Sequence, residues 1–155
     1  MLKEGDTAPD FDLPTDAGAP IKLSKLRGHI VVVYFYPKDD TPGCTTEAKD
    51  FSCLTDAFNA AGAAVIGISP DPPASKAKFR KKHDLTVLLA ADVEKTAVAA
   101  YGVWVEKSMY GKKYMGVERC TVLIDKSGKI VRLWPKVKVP GHVDEVLAAV
   151  KALSR

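Results

Sequence analysis

The residues of this chain best suited to chemistry lie in one short run, YPKDDTPGCTTE, in which Thr41, Pro42 and Gly43 lead directly into Cys44. A cysteine acts as a nucleophile through its thiolate, and an ordinary thiol titrates near pH ~8.5. Work at neutral pH therefore requires that negative charge on the sulfur be stabilised. The spacing supplies part of that. With Thr41 as N-cap, Pro42 falls at N1, where its missing N–H is of no consequence, and Cys44 at N3 faces unpaired backbone N–H groups. The helix dipole contributes about 0.3–1 kcal/mol, or ~2 when partly buried, whereas a thiolate that predominates at pH 7 needs about 3–4 kcal/mol. A cation must make up the difference.

Arg119 is the candidate cation. It opens the run RCTVLID, and strand alternation puts Arg119, Thr121 and Leu123 on one face, with Cys120, Val122 and Ile124 on the other. Cys120 is thus expected to point away from the site. Glu47, one turn beyond Cys44, has two readings: it orients the site through a hydrogen bond, or it is simply an acid favourable in a first helical turn. His29, His83 and His142 lack metal-ligand spacing and read as capping or solvated residues.

The elements that must position these residues follow from apolar periodicity. HIVVVYFY (29–36) is almost wholly apolar and β-branched or aromatic, as a strand covered on both faces should be, and it ends at Pro37. Cys44 then lies beyond the carboxyl end of a buried strand, where α/β sheets bind ligands. Ala48, Phe51, Leu54 and Phe58 recur at helical steps and predict a helix running to about Asn59. Residues 11–23 read as a hairpin. Strand 63–69, helix 73–83, strand 87–92 and a short helix 95–102 come next, followed by an irregular stretch holding Trp104, Tyr110 and Tyr114. The hairpin RCTVLID–KSGK–IVRLW and a last helix from His142 close the order. This is an α/β pattern with a central mixed sheet flanked by helices and an N-terminal hairpin extension.

Composition narrows the function classes. The 155 residues fit one domain, 1–155, and 46% hydrophobic with 27% charged residues is ordinary globular usage. The N-terminal run MLKEGDTAPDFDLP has no apolar stretch to act as signal or span, so a cytoplasmic protein is expected. The net charge of +4 is dispersed apart from Lys76, Lys78, Arg80, Lys81 and Lys82, which read as the wet side of a helix, and no nucleic-acid motif accompanies it. Three widely spaced cysteines fit neither a disulfide framework nor a CxxC motif.

Taken together, Pro37, Thr41 and Cys44 match the PxxxTxxC active-site motif of peroxiredoxins, and Arg119 matches their distant arginine. The likeness runs from GDTAPDFDLP to YGVWVEKSMYGKKYMGVERCTVLID, and the chain most resembles the bacterioferritin comigratory protein (PrxQ-type) subfamily. The resemblance implies a thioredoxin-like fold and a thiol-dependent peroxidase for hydrogen peroxide and organic hydroperoxides. It implies a peroxidatic Cys44, peroxide held by Thr41, the Cys44 N–H and Arg119, and Pro37 shielding the sulfur. No metal, flavin or haem is required, since the sulfur itself is oxidised and a thiol restores it. Thioredoxin is the reductant the resemblance favours, and a monomer the state.

The chain departs from that pattern at one point. Many members carry a resolving cysteine five residues after the first, and here that position is Lys49. Cys53 would lie about 13 Å along an intact helix and half a turn round it, whereas a disulfide needs Cα atoms within ~7 Å. Cys53 as resolving cysteine requires the helix to unwind. A one-cysteine cycle, with an external thiol attacking the sulfenic acid, is slightly favoured. Two other classes compete with a peroxidase: a disulfide oxidoreductase, which lacks its CxxC pair, and a thioredoxin-fold interaction or chaperone module without peroxidase activity.

Overall fold

In the computed structural model, which describes residues 2–154, strand β3 (Ile30–Phe35) is buried along its whole length. Period-two alternation sends Ile30, Val32 and Tyr34 to one face and Val31, Val33 and Phe35 to the other, and each set anchors its own apolar cluster. The β-branched, two-sided sequence of this strand therefore sits at the centre of the molecule.

A five-stranded sheet forms around β3. β4 (Ala63–Ser69) and β5 (Leu88–Ala91) extend it in parallel on one side; β8 (Cys120–Ile124) and β9 (Ile130–Trp134) extend it antiparallel on the other, giving the order β5-β4-β3-β8-β9. Helices α1 (Pro42–Cys53), α2 (Thr55–Ala60), α3 (Pro73–His83) and α5 (His142–Leu153) contribute Phe51, Phe58, Phe79 and Val146 to one face. The short α4 (Thr96–Ala100) covers the other with Ala97 and Val98, together with Phe11 and Leu13 from the hairpin of β1 (Asp12–Leu13) and β2 (Ile21–Lys22). The mixed sheet, the flanking helices and the N-terminal hairpin are as the sequence implied. In β4, Gly67 stands beside Tyr34 of β3, and a Cβ there would lie 2.6 Å from the Tyr34 ring, so only glycine leaves room for it.

Three expectations are corrected. The helix expected to run to Asn59 is two helices, broken at Leu54 (φ −104, ψ 11). The Leu54 N–H reaches back only three residues to Phe51, and the Thr55 hydroxyl donates to the same Phe51 carbonyl, taking the place of regular helical bonding. The stretch read as irregular is an antiparallel hairpin of β6 (Trp104–Met109) and β7 (Lys112–Val117). Its two-residue turn needs positive φ at both positions, and these are Tyr110 (φ 53) and Gly111 (φ 77), so the usual Asn-Gly signature is absent. Lys76, assigned to the wet side of its helix, is fully buried, because Lys76, Phe79 and His83 share the inward face of α3 at three- and four-residue steps.

Candidate active site

Cys44 lies in the first turn of α1, immediately beyond the carboxyl end of β3, and is 1% exposed. The first bond within the helix runs from the Thr45 N–H to the Thr41 carbonyl, so the N–H groups of Gly43 and Cys44 have no acceptor inside the helix. They form the positive end at which the sulfur sits.

Arg119 lies just before β8, whose Cys120 pairs with Phe35 at the end of β3, and this register brings its side chain across to α1. Its Nη2 donates to the Cys44 Sγ at 3.5 Å, and its Nη1 donates to the Glu47 Oε1 at 2.9 Å. Gly43 permits this approach: a Cβ there would stand 3.1 Å from Arg119 Nη2. Burial works against the Arg119 charge, but the Glu47 carboxylate and the Cys44 sulfur outweigh it and hold the guanidinium pKa above its ordinary value.

Glu47 is the residue that the sequence left between two readings, and the structure decides for the hydrogen bond. It is fully buried in the apolar stripe of α1 beside Cys44, Ala48 and Phe51. Burial raises its carboxyl from 4.5 to about 7, against the opposing pull of Arg119. One carboxylate oxygen holds Arg119; the other, Oε2, is buried without a hydrogen-bond partner among the described residues. The available signal was its spacing, since positions 44, 47, 48 and 51 form a single helical stripe.

The loop 37–41, which joins β3 to α1, is held from below. Asp39 accepts hydrogen bonds from the Tyr36 hydroxyl (2.6 Å), the Ser75 hydroxyl (2.8 Å) and the buried Lys76 ammonium (3.2 Å), while its own N–H donates to Asp71 (2.8 Å). Asp40, in the left-handed region at φ 60, pairs with Lys82 (2.8 Å) and His83 (2.7 Å). Both aspartates are thereby tied to α3. Thr41 occupies the N-cap position with extended backbone, but its side chain does not cap; the hydroxyl donates to the Lys38 carbonyl at 2.9 Å. Pro37 is half-buried where β3 ends.

The remaining candidates lie apart. Cys53 is exposed at the far end of α1, and Cys120 is buried in the cluster on the opposite face of the sheet from Cys44, its thiol pushed up to about 12 first by burial and then by Glu118 and Glu47. All three cysteines are free. His142 is buried rather than solvated and shares a 2.8 Å hydrogen bond with the Thr121 hydroxyl. Among the described residues no helix is long and apolar enough to cross a membrane.

Known proteins resemble this chain along its length. The sequence profile of the AhpC/TSA family matches residues 4–133. Peroxiredoxin Bcp of Bacillus subtilis is 48% identical over 153 residues, covering 99% of this chain and 98% of the relative. The Escherichia coli Peroxiredoxin Bcp is 42% identical over 146 residues, 94% of each chain. Among solved structures, the Xanthomonas campestris bacterioferritin comigratory protein, studied for its alkyl peroxide reduction activity, superposes with a TM-score of 0.91 at 41% identity, covering 100% of this chain and 99% of that one. A cysteine-to-serine mutant of Xylella fastidiosa PrxQ superposes with a TM-score of 0.94 at 36% identity over the same shares. A buried thiol at a helix N-terminus under an arginine, on a fold and sequence shared from end to end with these proteins, places the chain in the AhpC/TSA family as a peroxiredoxin of the bacterioferritin comigratory protein (PrxQ) type.

Proposed function

We propose that in this thiol peroxidase Cys44 is the peroxidatic nucleophile, with Arg119, Thr41, Pro37 and the Cys44 N–H as its immediate helpers. The observation that carries the assignment is the Arg119 guanidinium 3.5 Å from the Cys44 Sγ, fixed in place by Glu47. The Cys44 thiolate attacks one peroxide oxygen and the O–O bond breaks. The distal oxygen leaves with the electron pair and, on taking up a proton, departs as water or an alcohol, while Cys44 becomes a sulfenic acid. Charge grows on the departing oxygen, and Arg119 is placed to stabilise it together with the helix N-terminus. The Thr41 hydroxyl, its proton held by the Lys38 carbonyl, accepts a hydrogen bond from the incoming peroxide, and Pro37 keeps bulk water from the sulfur. Hydrogen peroxide and organic hydroperoxides are both substrates of this chemistry.

Regeneration proceeds by attack of an external thiol on the sulfenic acid, with thioredoxin or another thiol as reductant. The exposed Lys49 at the usual resolving position supports this one-cysteine cycle. A second reading makes Cys53 the resolving thiol; it draws support from the helix break at Leu54, which ends α1 at Cys53 itself. A monomer working in the cytoplasm fits the free thiols and the covered sheet edges, where Pro14 and Thr15 bond along β5 and Gly5 and Asp6 along β9.

Intact mass after one equivalent of hydrogen peroxide, with and without a sulfenic-acid trap, tests the scheme. Trapping at Cys44 alone establishes the one-cysteine cycle; rapid loss of two hydrogens with Cys44 joined to Cys53 establishes the other. Cys44→Ser is expected to abolish peroxide consumption and Cys120→Ser to leave it nearly unchanged. Peroxide turnover by Cys44→Ser at the wild-type rate would falsify the assignment.

A further inference from the structure

The β6–β7 hairpin is not used by the peroxide chemistry, yet it carries most of the exposed large apolar side chains: Met109, Tyr110, Tyr114 and Met115, with Tyr110 98% exposed at the tip. The register separates its two faces. Lys107 pairs with Tyr114 and Met109 with Lys112, so these four share one face, while Glu106 pairs with Met115 on the other. The Lys107 stem and the Tyr114 ring pack over Gly116, 3.2 Å and 3.4 Å from where a Cβ would be. The Lys107 ammonium donates to the Val117 carbonyl, two residues before Arg119. The hairpin leads into the peroxidatic site: β7 ends at Val117, and Arg119, whose Nη2 donates to the Cys44 Sγ, follows two residues later.

From this geometry we infer that the Lys107, Met109, Lys112 and Tyr114 face of the hairpin, with Tyr110 at its tip, is the docking surface for a protein dithiol reductant whose reactive cysteine lies in an apolar patch with an acidic rim. The inference rests on the one-cysteine reading above, in which a reductant must reach Cys44 directly. Cys44 is 1% exposed, so a protein that delivers a thiolate to it needs a recognition surface beside it. Exposed methionine and tyrosine flanked by lysines supply adaptable apolar contact and positive charge together. Each strand of the hairpin spans six residues, roughly 20 Å, a scale suited to the small, transient interfaces of redox partners. In the docked complex the partner thiolate attacks the Cys44 sulfenic acid. A mixed disulfide forms and hydroxide leaves, becoming water on protonation. The partner's second thiol then attacks its own sulfur, releasing Cys44 as thiolate and leaving the partner as its disulfide.

The two half-reactions separate this inference from the reading beneath it. Wild type, the triple variant Met109→Ser/Tyr110→Ser/Lys112→Glu and the opposite-face variant Met115→Ser are oxidised with one equivalent of hydrogen peroxide. They are then mixed with either reduced thioredoxin or dithiothreitol, and both phases are followed by stopped-flow fluorescence. The triple variant is expected to oxidise at the wild-type rate and to be reduced normally by dithiothreitol, but to be reduced by thioredoxin at least about tenfold more slowly. Raising the salt should slow wild-type reduction by thioredoxin and affect the triple variant less. Met115→Ser should match wild type throughout. Unchanged reduction of the triple variant by thioredoxin, or equal slowing with dithiothreitol, overturns the docking surface, as does a loss confined to oxidation by an alkyl hydroperoxide, which would assign the face to substrate. A Cys44–Cys53 disulfide as the species reduced would instead overturn the one-cysteine reading itself.

Discussion

Cys44 sits at the N-terminus of α1, where the N–H groups of Gly43 and Cys44 have no acceptor inside the helix, and the Arg119 guanidinium donates to its buried sulfur. Glu47 governs that group indirectly, by fixing Arg119. Its carboxyl titrates near 4.5 unfolded and about 7 folded, so between these values the folded protein holds a proton that the unfolded chain has lost. Stability is therefore expected to fall as pH rises from about 4.5 to about 7, by about 3 kcal/mol in all, and to be level above that. Urea unfolding of wild type and Glu47→Gln across this range measures it: the variant should lack this slope. An identical slope in both would assign it to another group.

The elements position the site by tying it to its neighbours. α3 holds the loop 37–41 through Lys76, whose ammonium meets Asp39, the Tyr36 hydroxyl and Ser69 in the core. Burial lowers the Lys76 pKa while Asp39 and then Asp71 and Asp16 raise it, so burial prevails over the acids that surround it. Lys76→Met removes one partner of a buried pair and leaves Asp39 uncompensated, which is expected to cost about 3–5 kcal/mol. Adding Asp39→Asn should recover part of that loss in a double-mutant cycle of urea midpoints, and strictly additive losses would show that the pair is not coupled. Helix α3 itself was legible at residues 73–83; the burial of Lys76 was not, because a lysine on an inward helical position is interpretable only once Asp39 is known to lie opposite it.

Across the whole molecule the two faces of the sheet share β3, so they should lose structure together. Trp104 packs against the cluster containing Cys120 and Trp134 belongs to the cluster containing Cys44, so each reports one face. We expect one cooperative transition, with single-tryptophan variants and far-UV circular dichroism giving coincident urea midpoints, as for one domain. Separated midpoints would mean that the faces unfold independently.

The sequence by itself determined the chemistry and the order of most elements. Cys44 behind Thr41, Pro42 and Gly43 reads as a helix start from local rules, the strand HIVVVYFY reads as central from its unbroken apolar run, and Arg119 stands out as a charge before a buried strand. Local spacing also contained the stripe that buries Glu47, although not the role of that residue. Tertiary structure alone decided what depends on contacts between distant segments: Arg119 reaching Cys44 across 75 residues and Lys76 sinking beside Asp39. The β6–β7 hairpin escaped because its turn places a tyrosine at positive φ, a conformation that intrinsic preference disfavours and only strand pairing makes stable.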